Sequence, residues 1–375
     1  MSNTNAPNKL EDIAQSFIDQ AGHCAALGSS LMPVLLEAAA RDIKDGGIAA
    51  SLMAEWEGHP VMGALPLRFS GALHHLVLTG HGGELNLFYP TAPDGSYKGN
   101  SGDADILWPA VCNVIKEQEE TVRAFLSHPP QTNEVRRSAV LLGGFLKIAE
   151  AYSLPLQLFE IGASAGLNLN WDKFFYSINH EDGTKVSWGD ETNPLTLPID
   201  WHGPLPPLDA PLHIAGRYGC DVKPVDLSDD ETVRHLEAFI WPDQPDRLVR
   251  LRNAISIART NDTHVEEADA TSWVAQMVSP EKPSKVRVLY HSIMWSYLPE
   301  TSQNAIRNAL EEAGSRADKN TPLAWLRMEH PGPDLNKPPE LTLTLWPERQ
   351  TQRLAVAHPH GASLRWFSSP RGAVA

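Results

Sequence analysis

The residues most suggestive of chemistry form one short run, Glu160-Ile161-Gly162-Ala163-Ser164-Ala165-Gly166, directly after the apolar stretch 156–159. Gly162 and Gly166 let a backbone turn tightly and approach a ligand closely, and a helix after the turn would present its N-terminal N–H groups. Glu160 discriminates between the ligands that such a turn accepts. A carboxylate there would stand near a dinucleotide pyrophosphate, and two like charges about 4 Å apart cost roughly 4 kcal/mol at an effective dielectric of about 20. The run also lacks the G-x-G-x-x-G spacing of dinucleotide sites. S-adenosylmethionine, which carries an ammonium and a sulfonium and no phosphate, has the complementary charge. The expected cofactor-binding set is therefore Glu160, Gly162, Ser164, Gly166 and Asn168.

Further groups stand where strands are expected to end. Asp221 closes the run HIAGRYGCD, Asp269 with Ala270 follows THVEEA, and His291-Ser292 ends VRVLYHS, with Trp295 and Tyr297 a turn later. A single Asp in a turn is usually a cap or a solvated group. Three acids after three successive strands form a stronger pattern, because open α/β sheets bind ligands outside the carboxyl ends of their strands. His291 is a candidate general base, since an imidazole titrates near neutral pH; the alternative is that it shapes a pocket floor.

A different chemistry is written over the same turn. Gly162-Ala163-Ser164-Ala165-Gly166 reads G-x-S-x-G, the elbow of a serine hydrolase. His81-Gly82-Gly83 would be its oxyanion loop, and His330, His358 or His360 its base. Glu160 opposes this reading, because a carboxylate beside the nucleophile repels an oxyanion. His358-Pro359-His360-Gly361 is read as a hairpin turn and not as a metal site, since no cysteine or acidic cluster adjoins it.

These residues need strands and helices to carry them. Leu10, Ile13, Phe17, Ala21, Cys24 and Leu27 recur at helical spacing, and two more helical stretches begin at Leu31 and Gly71. His74 and His75 in the third stretch are read as packing residues. A Gly/Asp/Asn-rich loop spans 80–105, and the first 130 residues are expected to form a helical domain or cap. From Gln131 to the end of the chain, strands alternate with helices, the signature of a mostly parallel sheet with crossover helices. The tail runs LTLTLWP and TQRLAVAHPHGASLRWF are expected to add an antiparallel pair. Residues 170–212, rich in proline, are read as an insertion after the first helix.

Bulk properties bound the partners. The 375 residues are 42% hydrophobic, with 31 Lys+Arg against 46 Asp+Glu, a formal charge of -15. Nucleic-acid binding requires basic clusters and none is present, so a small-molecule substrate is expected, with the oligomeric state left open. Three scattered cysteines, no export signal and no membrane-length apolar run point to a cytoplasmic protein without a structural metal.

The segments QTNEVRR, LFEIGASAGLNLNWDKFFY, GCDVKPVDL, FIWPDQPDRLVRLRNA and LYHSIMWSYLP resemble an uncharacterised bacterial family, domain-of-unknown-function family 2332, over nearly the whole chain. The ordered acids and glycines are more distantly similar to class I S-adenosylmethionine-dependent methyltransferases. That resemblance implies a Rossmann-like core, with Asp221 accepting from the ribose hydroxyls and Asp269 from the adenine amino group. The family motif Gln131, Asn133, Glu134 and Arg137, together with Trp295 and His291, is then expected on the acceptor side. Ser164 departs from the methyltransferase pattern, which has glycine at that position. The expected function is methyl transfer to an unidentified small molecule or protein. A serine hydrolase and a non-catalytic binding protein on the same fold are the alternatives.

Overall fold

Apolar residues three and four apart give the N-terminal part its helices. In the computed structural model, which describes residues 9–97, 99, 103–278, 283–332, 334 and 337–367, the chain divides into two units. One comprises Met1–Thr132 with Asp229–Val249; the other comprises Asn133–Ser228 with Arg250–Ala375. Residues 1–8, the start of the segment that shows no export signal, and positions 98 and 100–102 of the expected 80–105 loop lie outside the described residues.

The first unit contains α1 (Lys9–Ala26), α2 (Leu31–Lys44), α3 (Ile48–Met53), α4 (Leu65–Leu78), α5 (Ala104–Glu117) and α6 (Glu119–Leu126). After α7 (Arg137–Tyr152), which belongs to the second unit, α8 (Asp230–Ala238) and the start of α9 (Pro245–Thr260) complete the first. Ile13, Phe17, Ala21 and Cys24 of α1 are buried in one cluster with Leu35, Phe69, Leu73 and Val111, and Phe239 and Trp241 after α8 join it. Asp243 fixes the segment after α8. Its carboxylate accepts from the N–H groups of Ser30 (2.6 Å) and Leu31 (2.9 Å), capping α2, whose own N-cap residue, Ser30, makes no side-chain capping bond.

The second unit is built on one sheet: β1 (Leu156–Ile161), β2 (Phe175–His180), β3 (Lys185–Trp188), β4 (Thr196–His202), β5 (Ile214–Asp221), β6 (Val265–Glu267), β7 (Val286–Ser292), β8 (Leu323–Glu329), β9 (Glu340–Trp346), β10 (Gln350–Ala357) and β11 (Ser363–Trp366). Their order is β3-β2-β4-β11-β10-β9-β8-β7-β1-β5-β6. The pairings β6-β5, β5-β1, β1-β7 and β7-β8 are all parallel. The chain order reverses at β1, so the crevice beyond β1 and β7 is the topological switch point. Both faces are covered, and β1 is accordingly buried along its whole length and apolar apart from Gln157 and Glu160. Phe145 of α7 meets Tyr290 on one face (5.1 Å, edge-on). On the other, Phe159, Leu289 and Trp325 pack with Trp273 of α10 (Ala270–Met277) and with Ile306 and Leu310 of α11 (Glu300–Ser315).

The chain is thus a mixed α/β protein with a mostly parallel sheet. Two local expectations are corrected. The C-terminal strands do not form a closing pair: β8, β9, β10 and β11 run antiparallel in succession, and β11 then pairs parallel with β4. Residues 170–212 supply β2, β3 and β4 to that end of the sheet. Pro198 fits within β4 because β4 pairs with β11 only at Asp200–His202, so its missing N–H takes nothing from that ladder.

The second correction concerns the turn after β1. No α-helix follows it; Leu167–Lys173 is a short 3₁₀ stretch interrupted at Asn170 (φ -99°, ψ 17°). Leu167, Asn168, Leu169, Asn170 and Trp171 are all buried, so the stretch has no solvent-facing side of the kind that an amphipathic surface helix keeps.

Candidate ligand site at the carboxyl end of the sheet

Glu160 is the penultimate residue of β1 and 2% exposed. Alternation along β1 and β7 puts it on the same face as Tyr290, whose hydroxyl lies 3.2 Å from Glu160 Oε2 and 3.3 Å from the Asn168 carbonyl oxygen. Burial pushes the Glu160 carboxyl up to about 8; the bond to Tyr290 opposes this, and the charge of Asp221 adds to it. Glu160 is therefore protonated at neutral pH. The Tyr290 hydroxyl has one proton and two acceptors in reach, Glu160 Oε2 and the Asn168 carbonyl oxygen.

The turn that follows is held in the left-handed region at Gly162 (φ 64°), Ser164 (φ 53°) and Gly166 (φ 69°). Ser164, at the middle position, is a non-glycine residue held in a conformation that favours glycine. Four hydrogen bonds pin it. Ala163 N–H donates to Cys220 O (3.0 Å), Ser164 N–H to Asp221 Oδ2 (2.9 Å) and Leu167 N–H to Asn133 Oδ1 (2.8 Å), and Ser164 O accepts from Val225 N–H (3.1 Å). Asp221 also accepts from Lys223 N–H (2.9 Å), so it braces two turns at once. A Cβ on Gly162 would lie 2.9 Å from Met294 Cγ: the approach expected to be open to a ligand is covered by a flexible side chain.

Two polar atoms on this turn are buried without a hydrogen-bond partner, Ser164 Oγ and Asn168 Oδ1. An unsatisfied buried polar group costs about 1–3 kcal/mol, and such exceptions call for an explanation. The acids and amides here suit an ammonium-bearing ligand, because a carboxyl, an amide oxygen and a hydroxyl can each accept from it.

The remaining expected residues are dispersed. Asp269 is exposed and caps α10, its Oδ1 accepting from Thr271 N–H (2.9 Å) and Ser272 N–H (3.3 Å), with Ala270 buried as the first helical residue. Gln131 falls in the other unit. Asn133 serves the turn as described, and Glu134, 7% exposed, accepts from Arg136 N–H (3.2 Å). Arg137 donates to Pro359 O (3.0 Å) and Ser292 O (3.3 Å), tying the end of β7 to the His358–Gly361 turn. Gly361 permits this, since a Cβ there would stand 2.2 Å from Arg136 O.

His291 lies on the α11 face, opposite Glu160. It is fully buried, with Nδ1 2.7 Å from Glu329 Oε1 and Nε2 accepting from the Trp325 indole N–H (3.1 Å). An indole only donates, so Nε2 carries no proton and Nδ1–H donates to Glu329. Trp295 stacks on the imidazole (5.0 Å, 15°). The same carboxylate accepts from Met294 N–H (3.2 Å) and Trp295 N–H (3.3 Å). With both nitrogens engaged, His291 orders the turn after β7 and has no free basic nitrogen. Glu329 and Tyr290 were not singled out from sequence, although Glu329 is one more acid at a strand end and Tyr290 precedes His291.

Ser164 Oγ has no imidazole partner. His330 Nδ1 bonds to Lys337 O (2.6 Å), and His358 Nδ1 accepts from His360 N–H (3.0 Å). The charge relay that a hydrolase needs is not assembled around this serine.

The family model described as "Uncharacterized protein conserved in bacteria (DUF2332)" matches residues 14–366. The chain belongs to that family. No curated protein and no solved structure matches it. Among the described residues, no helix is long and apolar enough to cross a membrane.

Proposed function

We propose that the second unit binds S-adenosylmethionine at the turn after β1 and transfers its methyl group to a small-molecule acceptor. The observation carrying this reading is the buried Glu160 beside a turn on which the Asn168 amide oxygen is buried without a hydrogen-bond partner. In this reading Glu160 and Asn168 accept from the cofactor's ammonium group. Asp221 has lone pairs left for ribose hydroxyls after bracing Ser164 and Lys223. The cofactor, when bound, supplies an already activated methyl group. The protein then needs chiefly to position it, which contributes roughly 7–11 kcal/mol to lowering the barrier. His291 acts as a positioning residue, and Met294 has to swing off Gly162 to admit the ligand.

The engaged state of His291 favours one second reading, a binding protein of the same fold without catalysis. The two part on a single comparison: radiolabelled S-adenosylmethionine with a metabolite extract. Label appearing on an extract component supports transfer; saturable binding without labelled product supports the second reading. Absence of binding at millimolar cofactor contradicts both. Ser164→Ala keeps affinity within a few-fold under either reading, and a fluorophosphonate probe leaves Ser164 unlabelled.

A further inference from the structure

A cleft of about 660 Å³ opens on the α11 face of the sheet, lined by Trp295, Gln303, Arg307, Arg327, Glu329 and His330 among others. Alternation along β8 sets Trp325, Arg327 and Glu329 in a row on that face. The Arg327 guanidinium sits over the Trp325 ring, its Cζ 3.9 Å from the centroid. Its Nε is buried without a partner, and among the described residues the guanidinium makes no hydrogen bond. Arg307 reaches in from α11 over Trp295 (5.2 Å) and donates to Asn304 Oδ1 (2.8 Å) and Gln303 Oε1 (3.2 Å), neutral groups that leave its charge uncompensated.

The nearby acids offset the pair only in part. Glu329, whose partners are the neutral His291 and two backbone N–H groups, keeps its charge and acts on Arg327, but less strongly than Arg307 does, and Glu340 pairs with Arg353 at 2.8 Å. Glu300, at the start of α11, is exposed. Burial, followed by the charge of Arg307, brings Arg327 down to about 10. A half-buried guanidinium with unused donors beside a second cation is unfavourable unless an anion completes it.

We propose that this cleft binds a small molecule bearing a carboxylate or a phosphate, held by the fork of Arg327 and the charge of Arg307. It is a second site, on the opposite sheet face from Glu160, and does not depend on the cofactor reading. Arginine forks match both anions in bidentate geometry, so the test has two arms. The full-length chain is titrated by calorimetry with benzoate and succinate in one arm and with phenyl phosphate and inorganic phosphate in the other. At least one probe is expected to bind saturably below about 10 mM, and the arm that responds names the source. Arg327→Met weakens that probe at least about tenfold without lowering the melting temperature, because the residue removed has no hydrogen bond to lose. Arg307→Gln, on the more open helix surface, weakens it less and serves should Arg327→Met fail to fold. Silence of all four probes overturns the proposal. So does unchanged affinity in the foldable variants, or a melting temperature several degrees lower in Arg327→Met, which would make Arg327 a structural cation on Trp325.

Discussion

Glu160 concentrates the account at the scale of single residues. Its folded value, about 8, lies above its ordinary 4.5, so the folded state binds the extra proton. The stability it contributes is fully present below about 4.5 and is lost as pH rises through about 8. Wild-type protein should therefore melt at lower temperature at pH 9 than at pH 6. Glu160→Gln, neutral at both, should flatten the local contribution by a few kcal/mol; equal slopes in the two proteins would contradict the buried, protonated state. Ser164→Gly makes a complementary prediction. It removes a non-glycine residue from φ 53° and a buried unpaired hydroxyl, and should raise stability by about 1 kcal/mol in denaturant unfolding. A loss would show that the hydroxyl has a partner.

Elements explain which expectations held and which did not. His291→Ala should destabilise by about 2–4 kcal/mol, read by denaturant unfolding, because it empties a buried site and strands the Glu329 carboxylate and the Trp325 N–H. The strands were legible because β1, β7 and β8 are apolar runs bounded by polar turns, and Asp221 and Asp269 do stand after β5 and β6. What could not be read is which job a strand-end acid takes. Asp269 caps a helix and Asp221 accepts from two backbone N–H groups, and sequence spacing does not distinguish a cap from a ligand contact. The 3₁₀ stretch 167–173 was taken for a helix because its apolar residues fit either period over so short a length. Strands β2 to β4 are hidden by prolines, which sit before or after β4 or where β4 lacks a second neighbour. Asn133 was assigned to an acceptor, yet its amide caps Leu167 N–H across 34 positions, a pairing no local pattern announces.

At the scale of the whole molecule the two units are expected to fail at opposite ends of the pH range. In the first unit His75 stacks on His235 (5.0 Å) and His235 on His128 (4.7 Å), with Phe125 against the first two. Burial, with the charge of His235 next, lowers His75 to about 4. The folded value is depressed, so this contribution is present above about 6.5 and is lost as pH falls through about 4. Hydrogen exchange at pH 5 should accelerate first in α4, α6 and α8, and at pH 9 first in β1 and β7. Uniform acceleration at both extremes would show that neither cluster governs its unit.

The central claim, a cationic cofactor beside Glu160, is tested most directly by calorimetric titration of S-adenosylmethionine at pH 7 in buffers of different ionisation enthalpy. Stabilising the carboxylate by a cation must expel the proton that burial holds there, so the account predicts binding coupled to release of close to one proton. It also predicts that Glu160→Gln weakens binding and abolishes the release. Binding with no buffer dependence, or no binding by folded wild-type protein, would contradict it.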